Sequence, residues 1–316
     1  MPILQLDIQA VSPLFMAGAD QREPEVRAAS FRGAFRYWTR AVLGARYQRD
    51  YDALKKRESH YWGSTQRGSG LRVVVNRHTR RDRDDEYVIL PPTFRNGKAN
   101  RLPAFPVESG VRLSVETPFA HRATSLFTDE LYASLLLAFW LSGFGKRARR
   151  GGGSLQVVEI ATDVSADPLV HLQYIPRDAD DIARHLAENV FPYVREVTSG
   201  YDQAERPFHN VPDYTVMLPG MVTSYVGLNT YNDYADALQR LWDLTGPYHH
   251  DRNSPWGRVR GGRRASIVHM RVIRSESGYH QMATILRAGS EREDWSRMDD
   301  LHNTLDGAND FVTIPF

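Results

Sequence analysis

The strongest constraint on the fold of this 316-residue chain is an arrangement that occurs twice: a helix, a loop rich in glycine and arginine, and a strand. The two copies lie near residues 129–160 and 233–274. A chain of this length is also longer than one small core requires and favours about two domains. The repetition therefore predicts two related domains, which we place at residues 1–165 and 166–316.

The first domain begins with a strand and an amphipathic helix. Leu4, Leu6 and Ile8 alternate with polar residues, which predicts a strand with one buried face. Ser30 is suited to cap a helix that Gly44 ends. The predicted core stripe of this helix follows helical spacing and consists of Phe31, Phe35, Trp38 and Val42.

More strands and a second helix follow in the first domain. Strands are predicted at about residues 71–75, 87–90, 111–115 and 155–160. Thr128 is placed to cap an almost wholly apolar helix that ends at Gly143. The order strand, helix, strands, helix, strand is that of a ferredoxin-like, or RRM-like, α+β domain. We therefore predict antiparallel sheets with helices on one face.

The second half repeats this order less clearly. Its predicted elements are a strand at 171–175, a helix at 179–190, irregular chain at 191–220, a helix from a cap at Asn232 to about Thr245, and a hairpin over 266–286.

Charge is divided unevenly along the chain. Residues 1–160 hold 25 basic and 16 acidic side chains, whereas residues 161–316 hold 15 and 22. Arginine accounts for 36 of the 40 basic residues, and its planar fork pairs with phosphate and stacks on bases. A GC-rich genome produces the same preference for arginine. The argument for a polyanion-binding surface therefore rests on how the arginines cluster.

The first cluster is the loop 143–154, here called the Gly/Arg loop. It holds five glycines, four basic residues and no acidic residue. Glycine lets a main chain approach a ligand closely, and backbone N–H groups in such loops form anion-binding nests. A flexible basic hairpin is the alternative interpretation. The predicted phosphate contacts are Lys146, Arg147, Arg149 and Arg150.

The second cluster lies in an otherwise acidic half. Residues 252–274 contain seven arginines and no Asp or Glu. Trp256 is a candidate for stacking on a base, or alternatively for burial at a domain junction. The predicted phosphate contacts are Arg258, Arg260, Arg263 and Arg264.

The third cluster is a stripe on the first helix. Arg32, Arg36 and Arg40 are four residues apart and therefore share one helix face. This face is predicted to line the backbone groove of a polyanion. The alternative is a solvated face whose arginines form ion pairs, with Asp50, Asp52 and Glu58 as the available partners.

Several other chemistries find no support. The chain has no cysteine, which excludes disulfides, cysteine-ligated metal sites and a cysteine nucleophile, and which fits a reducing cytoplasm. The fragment 249–251 (His-His-Asp) lacks further spaced ligands, and there is no phosphate-binding P-loop or serine-hydrolase motif. We therefore expect no metal and no cofactor. We also expect no membrane partner, because residues 1–11 do not resemble a signal peptide and the apolar stretch 131–141 is too short to span a bilayer.

Several segments resemble a known family. They are residues 12–19, 25–40 and 58–64, the Gly/Arg loop and residues 263–266. Together they resemble the first-named RAMP-superfamily subunit of the type III-B CRISPR (Cmr) effector complex. The resemblance implies two RRM-like RAMP domains and a non-enzymatic place in a ribonucleoprotein. It further implies contacts with guide RNA and target RNA toward the guide 3′ end, and with other RAMP subunits.

Two other functions remain open at this point. One is a metal-independent RAMP endoribonuclease that matures guide RNA, with His60 or His121 as general acid or base. The other is a purely structural subunit whose arginine clusters bind acidic faces of neighbouring proteins.

Overall fold

The computed structural model describes residues 2–47, 50–79, 86–88, 94–95, 98–199, 214–245, 266–287 and 296–316. Its strands are β1 (Ile3–Ala10), β2 (Arg72–Thr79), β3 (Glu86–Val88), β4 (Phe94–Arg95), β5 (Lys98–Ala99), β6 (Arg101–Pro103), β7 (Gly110–Glu116), β8 (Leu155–Thr162), β9 (Val222–Gly227), β10 (Val268–Arg274), β11 (Tyr279–Leu286) and β12 (Phe311–Pro315). Its helices are α1 (Ala28–Tyr47), α2 (Tyr51–Trp62), α3 (Ala123–Leu126), α4 (Asp129–Leu141), α5 (Ala179–His185), α6 (Phe191–Ser199), α7 (Tyr234–Thr245) and α8 (Ser296–Gly307). None of these helices is long and apolar enough to cross a membrane.

The first sheet has the strand order β2-β7-β1-β8. All its neighbours are antiparallel, and the central residue Leu6 of β1 lies opposite Leu113 on one side and Ile160 on the other. In sequence order the four strands are arranged 2-3-1-4, which is the ferredoxin-like order. The short strands β3 to β6 form two small ribbons between β2 and β7.

Helices α1 and α4 cover one face of this sheet. Phe31, Phe35 and Trp38 are fully buried, as the helical spacing predicts, and the Phe35 ring lies 6.1 Å from that of Phe139 in α4. Burying each such side chain stabilises the fold by roughly 1.5–3 kcal/mol. This aromatic layer fixes α1, and with it the face that carries the arginine stripe.

The second sheet has the order β10-β11-β9-β12 and is also antiparallel. In sequence order its strands again read 2-3-1-4. Helices α7 and α8 supply Leu238, Leu241, Leu301 and Leu305 to its core. The predicted pair of ferredoxin-like domains is therefore confirmed.

The helices α5 and α6 lie between the two sheets in sequence and join a core shared by both. Val190, Phe191 and Val194 are fully buried in the cluster that contains the α1 and α4 side chains. Phe191 also packs against Phe316 at the end of β12, with 5.4 Å between ring centroids. The predicted boundary between residues 165 and 166 falls just before this region and remains a prediction.

Both predicted ends of the first helix are wrong. The helix begins at Ala28, so Ser30 lies inside its first turn, and it continues past Gly44 to Tyr47. A Cβ on Gly44 would lie 2.7 Å from the ring of Tyr214. Gly44 therefore allows a close approach between α1 and the segment before β9, and it does not end the helix.

The predicted cap and end of the second helix also need correction. Thr128 occupies the N-cap position of α4, but its hydroxyl makes no capping hydrogen bond and lies 2.7 Å from the Tyr61 hydroxyl. The helix ends at Leu141, two residues before the predicted Gly143.

The second half departs further from the sequence prediction. The predicted strand at 171–175 is wrong, because Asp167–Leu172 form a 3₁₀ helix. The predicted helix at 179–190 is α5 followed by a π-helical turn, and residues 191–199 continue as α6 where irregular chain was predicted. Asp233, and not Asn232, accepts from the Ala235 N–H at 2.5 Å to cap α7.

Candidate nucleic-acid interface

The Gly/Arg loop is bound closely to the segment that follows β1. Phe144 N–H donates to Gly153 O at 2.9 Å, closing the loop on itself. Lys146 N–H donates to Phe15 O at 2.6 Å, and Gly153 N–H donates to Pro13 O at 2.9 Å. The loop is therefore a fixed part of the first domain and not a free hairpin.

The glycines of this loop serve its own packing. Gly145 and Gly153 have φ angles of +80° and +64°, where a side chain is unfavourable. A Cβ would lie 2.5 Å from Phe15 O at Gly145 and 2.0 Å from Phe144 O at Gly153. The sequence pattern suggested close approach to a ligand, but at these two positions the close approach is to the chain itself.

Two of the four predicted loop cations are exposed. The Lys146 ammonium donates to the side-chain oxygen of Gln21. Arg147 has a φ of +63°, which is uncommon for a residue with a Cβ, and its side chain has no hydrogen bond or ion pair with any described residue. Arg147 is therefore available to an anionic ligand.

The other two loop cations are partly buried. The Arg149 guanidinium carbon lies 4.7 Å from the centroid of the Tyr37 ring, and the group donates to Ser266 O just before β10. Burial lowers the pKa of Arg150 to about 10, and the like charge of Arg147 adds to this effect. Arg149 thus connects the loop to the second domain.

The arginine stripe of α1 is divided. Arg32 is exposed and has no partner among the described residues, whereas Arg36 and Arg40 both donate to the carboxylate of Glu58 in α2. The Arg40 Nε lies 2.6 Å from Glu58 Oε2, and the Glu58 side chain is only 3% exposed. The ion-pair interpretation therefore holds for Arg36 and Arg40. Contact of the stripe with RNA remains a prediction.

The second cluster lies mostly outside the described residues. The residues that lie outside the described part include the fragment 249–251, Trp256, Arg258, Arg260, Arg263 and Arg264. The bond from Arg149 to Ser266 O shows that the end of this cluster adjoins the Gly/Arg loop. The structure therefore brings the first cluster next to Ser266, two residues after Arg264 of the second.

The outer face of β1 carries polar and aliphatic side chains and no aromatic residue. Its central position Asp7 pairs with Arg112, with 2.6 Å between Nε and Oδ1, and this bond holds the pKa of Asp7 below its ordinary value. The outward residues of β1 are Ile3, Gln5, Asp7 and Gln9. RRM domains bind RNA through aromatic side chains on this face, and none stands at these positions.

Arg271 is a functional candidate that the sequence did not single out. It is 3% exposed on β10 and lies 3.2 Å from Leu155 O and 3.4 Å from Ser142 O. Burial lowers the pKa of this guanidinium, and no described carboxylate pairs with it. Arg271 joins the second sheet to both ends of the Gly/Arg loop. Its place among the seven arginines of residues 252–274 was the sequence signal for it.

His269, two residues earlier on β10, is also buried. Its Nδ1 lies 3.3 Å from Ser142 Oγ and its Nε2 lies 3.3 Å from the Tyr37 hydroxyl. Burial, with a smaller contribution from Arg149, lowers its pKa well below the ordinary value. His269 is therefore neutral in the folded protein at physiological pH.

The neutral state of His269 predicts a pH dependence of stability. In the unfolded chain its pKa is about 6.5, so acid protonates the unfolded state first and stability falls as pH decreases below that value. We expect His269→Gln to flatten the plot of unfolding free energy against pH by up to about 1.4 kcal/mol per pH unit between pH 6 and 5. Urea unfolding at several pH values measures this slope, and equal slopes for both proteins would contradict the assignment.

The two candidate catalytic histidines lie elsewhere in the first domain. His60 of α2 has its Nε2 3.2 Å from Ser125 O and its Nδ1 3.4 Å from an Arg67 nitrogen. Burial and the neighbouring cations lower its pKa. His121 is exposed beside Phe119, with 6.1 Å between ring centroids. Among the described residues, no hydrogen bond connects either histidine to the Gly/Arg loop.

Comparison with known proteins identifies the family. The RAMP superfamily model matches residues 7–156. The Cmr subunit Cmr1-2 of the CRISPR system of Pyrococcus furiosus is 33% identical over 183 residues, covering 48% of this chain and 92% of that protein. The chain belongs to the Cmr1 family of RAMP proteins. A second relative from the same organism, Cmr1-1, is 28% identical over 177 residues, and the match covers 53% of this Cmr1-family chain and 51% of that protein.

Solved structures show the same fold over nearly the whole Cmr1-family chain. The crystal structure of Cmr1 from Pyrococcus furiosus in its apo form has a TM-score of 0.61 at 17% identity, covering 99% of this chain and 98% of that one. A chain of the type III-B Cmr-beta complex bound to cognate target RNA has a TM-score of 0.64 at 11% identity, covering 97% and 99%. Both likenesses extend through the second domain, beyond the region of the family match.

Proposed function

We propose that this chain is a non-catalytic RNA-binding subunit of a type III-B CRISPR ribonucleoprotein. In this proposal it contacts guide RNA and target RNA toward the guide 3′ end, beside other RAMP subunits. The observation that carries the proposal is the Gly/Arg loop, an acid-free segment that is fixed to the first domain and exposes Lys146 and Arg147. The relatives named as Cmr subunits, and the related complex with target RNA, supply the biological setting.

The geometry favours contact with the RNA backbone over base stacking on the sheet. The outer sheet positions of β1 lack aromatic residues, whereas cations collect at the loop and on α1. A guide RNA differs in sequence from one complex to the next, so a general binding subunit relies on phosphate charge and strand shape. The endoribonuclease alternative would use His60 or His121, and among the described residues neither has a hydrogen bond to the Gly/Arg loop.

The loop contribution is measurable through salt dependence. The double variant Lys146→Ala, Arg147→Ala removes the two exposed loop cations. Each phosphate contact on a single strand contributes about 0.7 to the slope of log affinity against log salt, so we expect the slope to flatten by about 1.4. Fluorescence anisotropy with a labelled single-stranded RNA at several salt concentrations gives this slope.

A matched control removes the same charge elsewhere. Arg177 and Arg184 flank Asp181 in the second half, and replacing both by Ala should leave the salt slope unchanged. If the loop variant binds with the wild-type slope and affinity, the loop is not the RNA contact. The same mixtures, incubated in EDTA, should return full-length RNA. Clean cleavage that a single histidine substitution abolishes would instead support the endoribonuclease.

A further inference from the structure

Two segments without acidic residues meet beside the C-terminal end of α2. Residues 59–72 and 117–128 contain no Asp or Glu. They are joined by the His60 side chain, whose Nε2–H donates to Ser125 O at 3.2 Å while its Nδ1 accepts from an Arg67 nitrogen at 3.4 Å. One basic surface is therefore built from two parts of the chain that are distant in sequence.

This surface is exposed and positively charged. We call it the α2–α3 patch and define it by His60, Arg67, Phe119, His121 and Arg122. All of these side chains are exposed except that of His60, which is half-buried. Burial, and to a smaller extent the neighbouring arginines, lower the pKa of His60. The arginines thus create a positive potential at the patch, and such a potential attracts anionic ligands.

Phe119 places an aromatic ring among these cations. It is 40% exposed, with the Arg122 guanidinium carbon 5.0 Å from its ring centroid. The backbone around it is fixed, because Phe119 N–H donates to Thr117 Oγ1 at 3.2 Å and Arg122 N–H donates to Phe119 O at 2.9 Å. Single exposed apolar residues are common, but an accessible ring beside cations is the combination that stacks on bases of single-stranded nucleic acid.

The patch and the Gly/Arg loop lie at opposite ends of β1. Thr117 N–H donates to Pro2 O at 3.2 Å, which places the patch beside the start of this strand. The loop is bonded to Pro13 O, just after the end of the strand. Because β1 has 8 residues and a strand rises about 3.3 Å per residue, the two basic regions are about 26 Å apart. The patch is therefore separate from the loop.

We propose that the α2–α3 patch is a second RNA contact, at which a base of a single-stranded segment stacks on the exposed part of Phe119. Arg67 and Arg122 neutralise the adjoining phosphates. This inference rests on the proposed RNA-binding function. It adds a base-stacking site, away from the sheet faces, that lies at the other end of the first domain from the loop.

The chemistry of the patch favours RNA over an acidic protein face. Both ligands match the positive charge of Arg67 and Arg122. An unpaired base also offers a flat surface to the Phe119 ring, whereas carboxylates do not. A strand of RNA therefore uses every exposed group that the patch presents.

Phe119→Ala tests the stacking contact in the full-length chain. The probe is a labelled single-stranded RNA of about 20 nucleotides, because a stacked strand advances about 3.4 Å per nucleotide and has to reach both basic regions. We expect the affinity to fall about fivefold or more, with an unchanged salt slope because the lost group is uncharged. Phe119→Tyr keeps the ring and should bind as tightly as the wild type.

A second aromatic residue provides the matched control. Tyr51 at the start of α2 is 49% exposed and lies between Asp50 and Asp52, so Tyr51→Ala should leave RNA affinity unchanged. A strand of the same length that lacks its bases but keeps every phosphate is the control probe. Phe119→Ala should bind this strand as tightly as the wild type does, whereas damage to the fold would weaken binding of both probes.

The arginines of the patch are tested through their charge. The double variant Arg67→Ala, Arg122→Ala should flatten the salt slope by up to about 1.4. Its fold loss in affinity should multiply with that of Lys146→Ala, Arg147→Ala, because contacts about 26 Å apart contribute independently.

The outcomes separate the two proposals. If the wild type binds RNA and the loop variant flattens its salt slope, but the patch variants bind like the wild type, the second contact is wrong and the RNA-binding function stands. That result would favour an acidic protein face as the ligand of the patch. An equal loss for Phe119→Ala on the intact and the abasic strand would overturn the stacking. If the wild type binds no RNA, the proposed function itself is wrong.

Discussion

Gly153→Ala is expected to lower the free energy of unfolding by at least about 3 kcal/mol. Two costs combine at this position. A side chain at a φ of +64° is unfavourable by about 1–2 kcal/mol, and the new Cβ would lie 2.0 Å from Phe144 O. The atom in the way is backbone oxygen, which cannot rotate aside, so the loop must separate from the segment it packs against. Urea unfolding followed by circular dichroism measures the change.

Gly220→Ala isolates the first of these costs. Gly220 has a φ of +75°, but nothing lies within 4 Å of a Cβ at that position. We therefore expect a loss of only about 1–2 kcal/mol, from the backbone conformation alone. If both variants lose the same amount, the close packing of the Gly/Arg loop is not as described. A larger loss for Gly153→Ala, accompanied by weaker RNA binding, would show that the packed loop presents the RNA contacts.

Glu58→Gln should separate the structural and RNA-binding roles of the arginine stripe. The Glu58 carboxylate is nearly inaccessible and accepts from two arginines, so loss of its charge is expected to cost about 1.5–3 kcal/mol of stability. The cost stays in this range because the side chains of Arg36 and Arg40 are 32% and 44% exposed and can be hydrated once released. Two released arginines near a bound strand should steepen the salt slope by up to about 1.4.

Glu116→Gln is the matched control for this experiment. Glu116 is similarly buried, at 7% exposure, and pairs with Arg72 on the first sheet. We expect a loss of stability without a change in RNA affinity. If Glu58→Gln is destabilised in the same way and its RNA affinity is also unchanged, Arg36 and Arg40 act within the fold only. Stronger RNA binding by Glu58→Gln alone would place the stripe beside the RNA.

The fold was predictable where hydrophobic spacing is regular. Alternation in β1 and helical spacing in α1 decide which side chains are buried, and the order of elements then permits one common sheet topology. Helix ends were not predictable: Gly44 lies inside α1, and glycine there serves close packing against Tyr214, a residue distant in sequence, instead of ending the helix. The sequence analysis did not predict α2, because most of its residues are polar and its apolar buried side is short. That side consists of Leu54, Tyr61 and Trp62.

The candidate site was predictable in composition and not in geometry. Clustering of arginine identified the Gly/Arg loop, but the sequence does not distinguish exposed Arg147 from Arg149, which lies over Tyr37. Nor does it reveal that Arg271 and His269 come from the other domain to lie against the ends of the loop. These distinctions depend on contacts between residues more than 100 positions apart, which no local pattern records.

The hydrogen bonds around Ser154 have a consequence for how this protein can be divided. Ser154 Oγ accepts from Val272 N–H at 3.0 Å, while Ser154 N–H donates to Ser12 Oγ at 2.9 Å. Ser154 thus links the first domain to the second, although the two domains have sheets of the same strand order. Although the halves resemble each other, they are not interchangeable modules. Severing the chain between them would remove hydrogen-bond partners from both halves, so we expect the protein to melt as one cooperative unit.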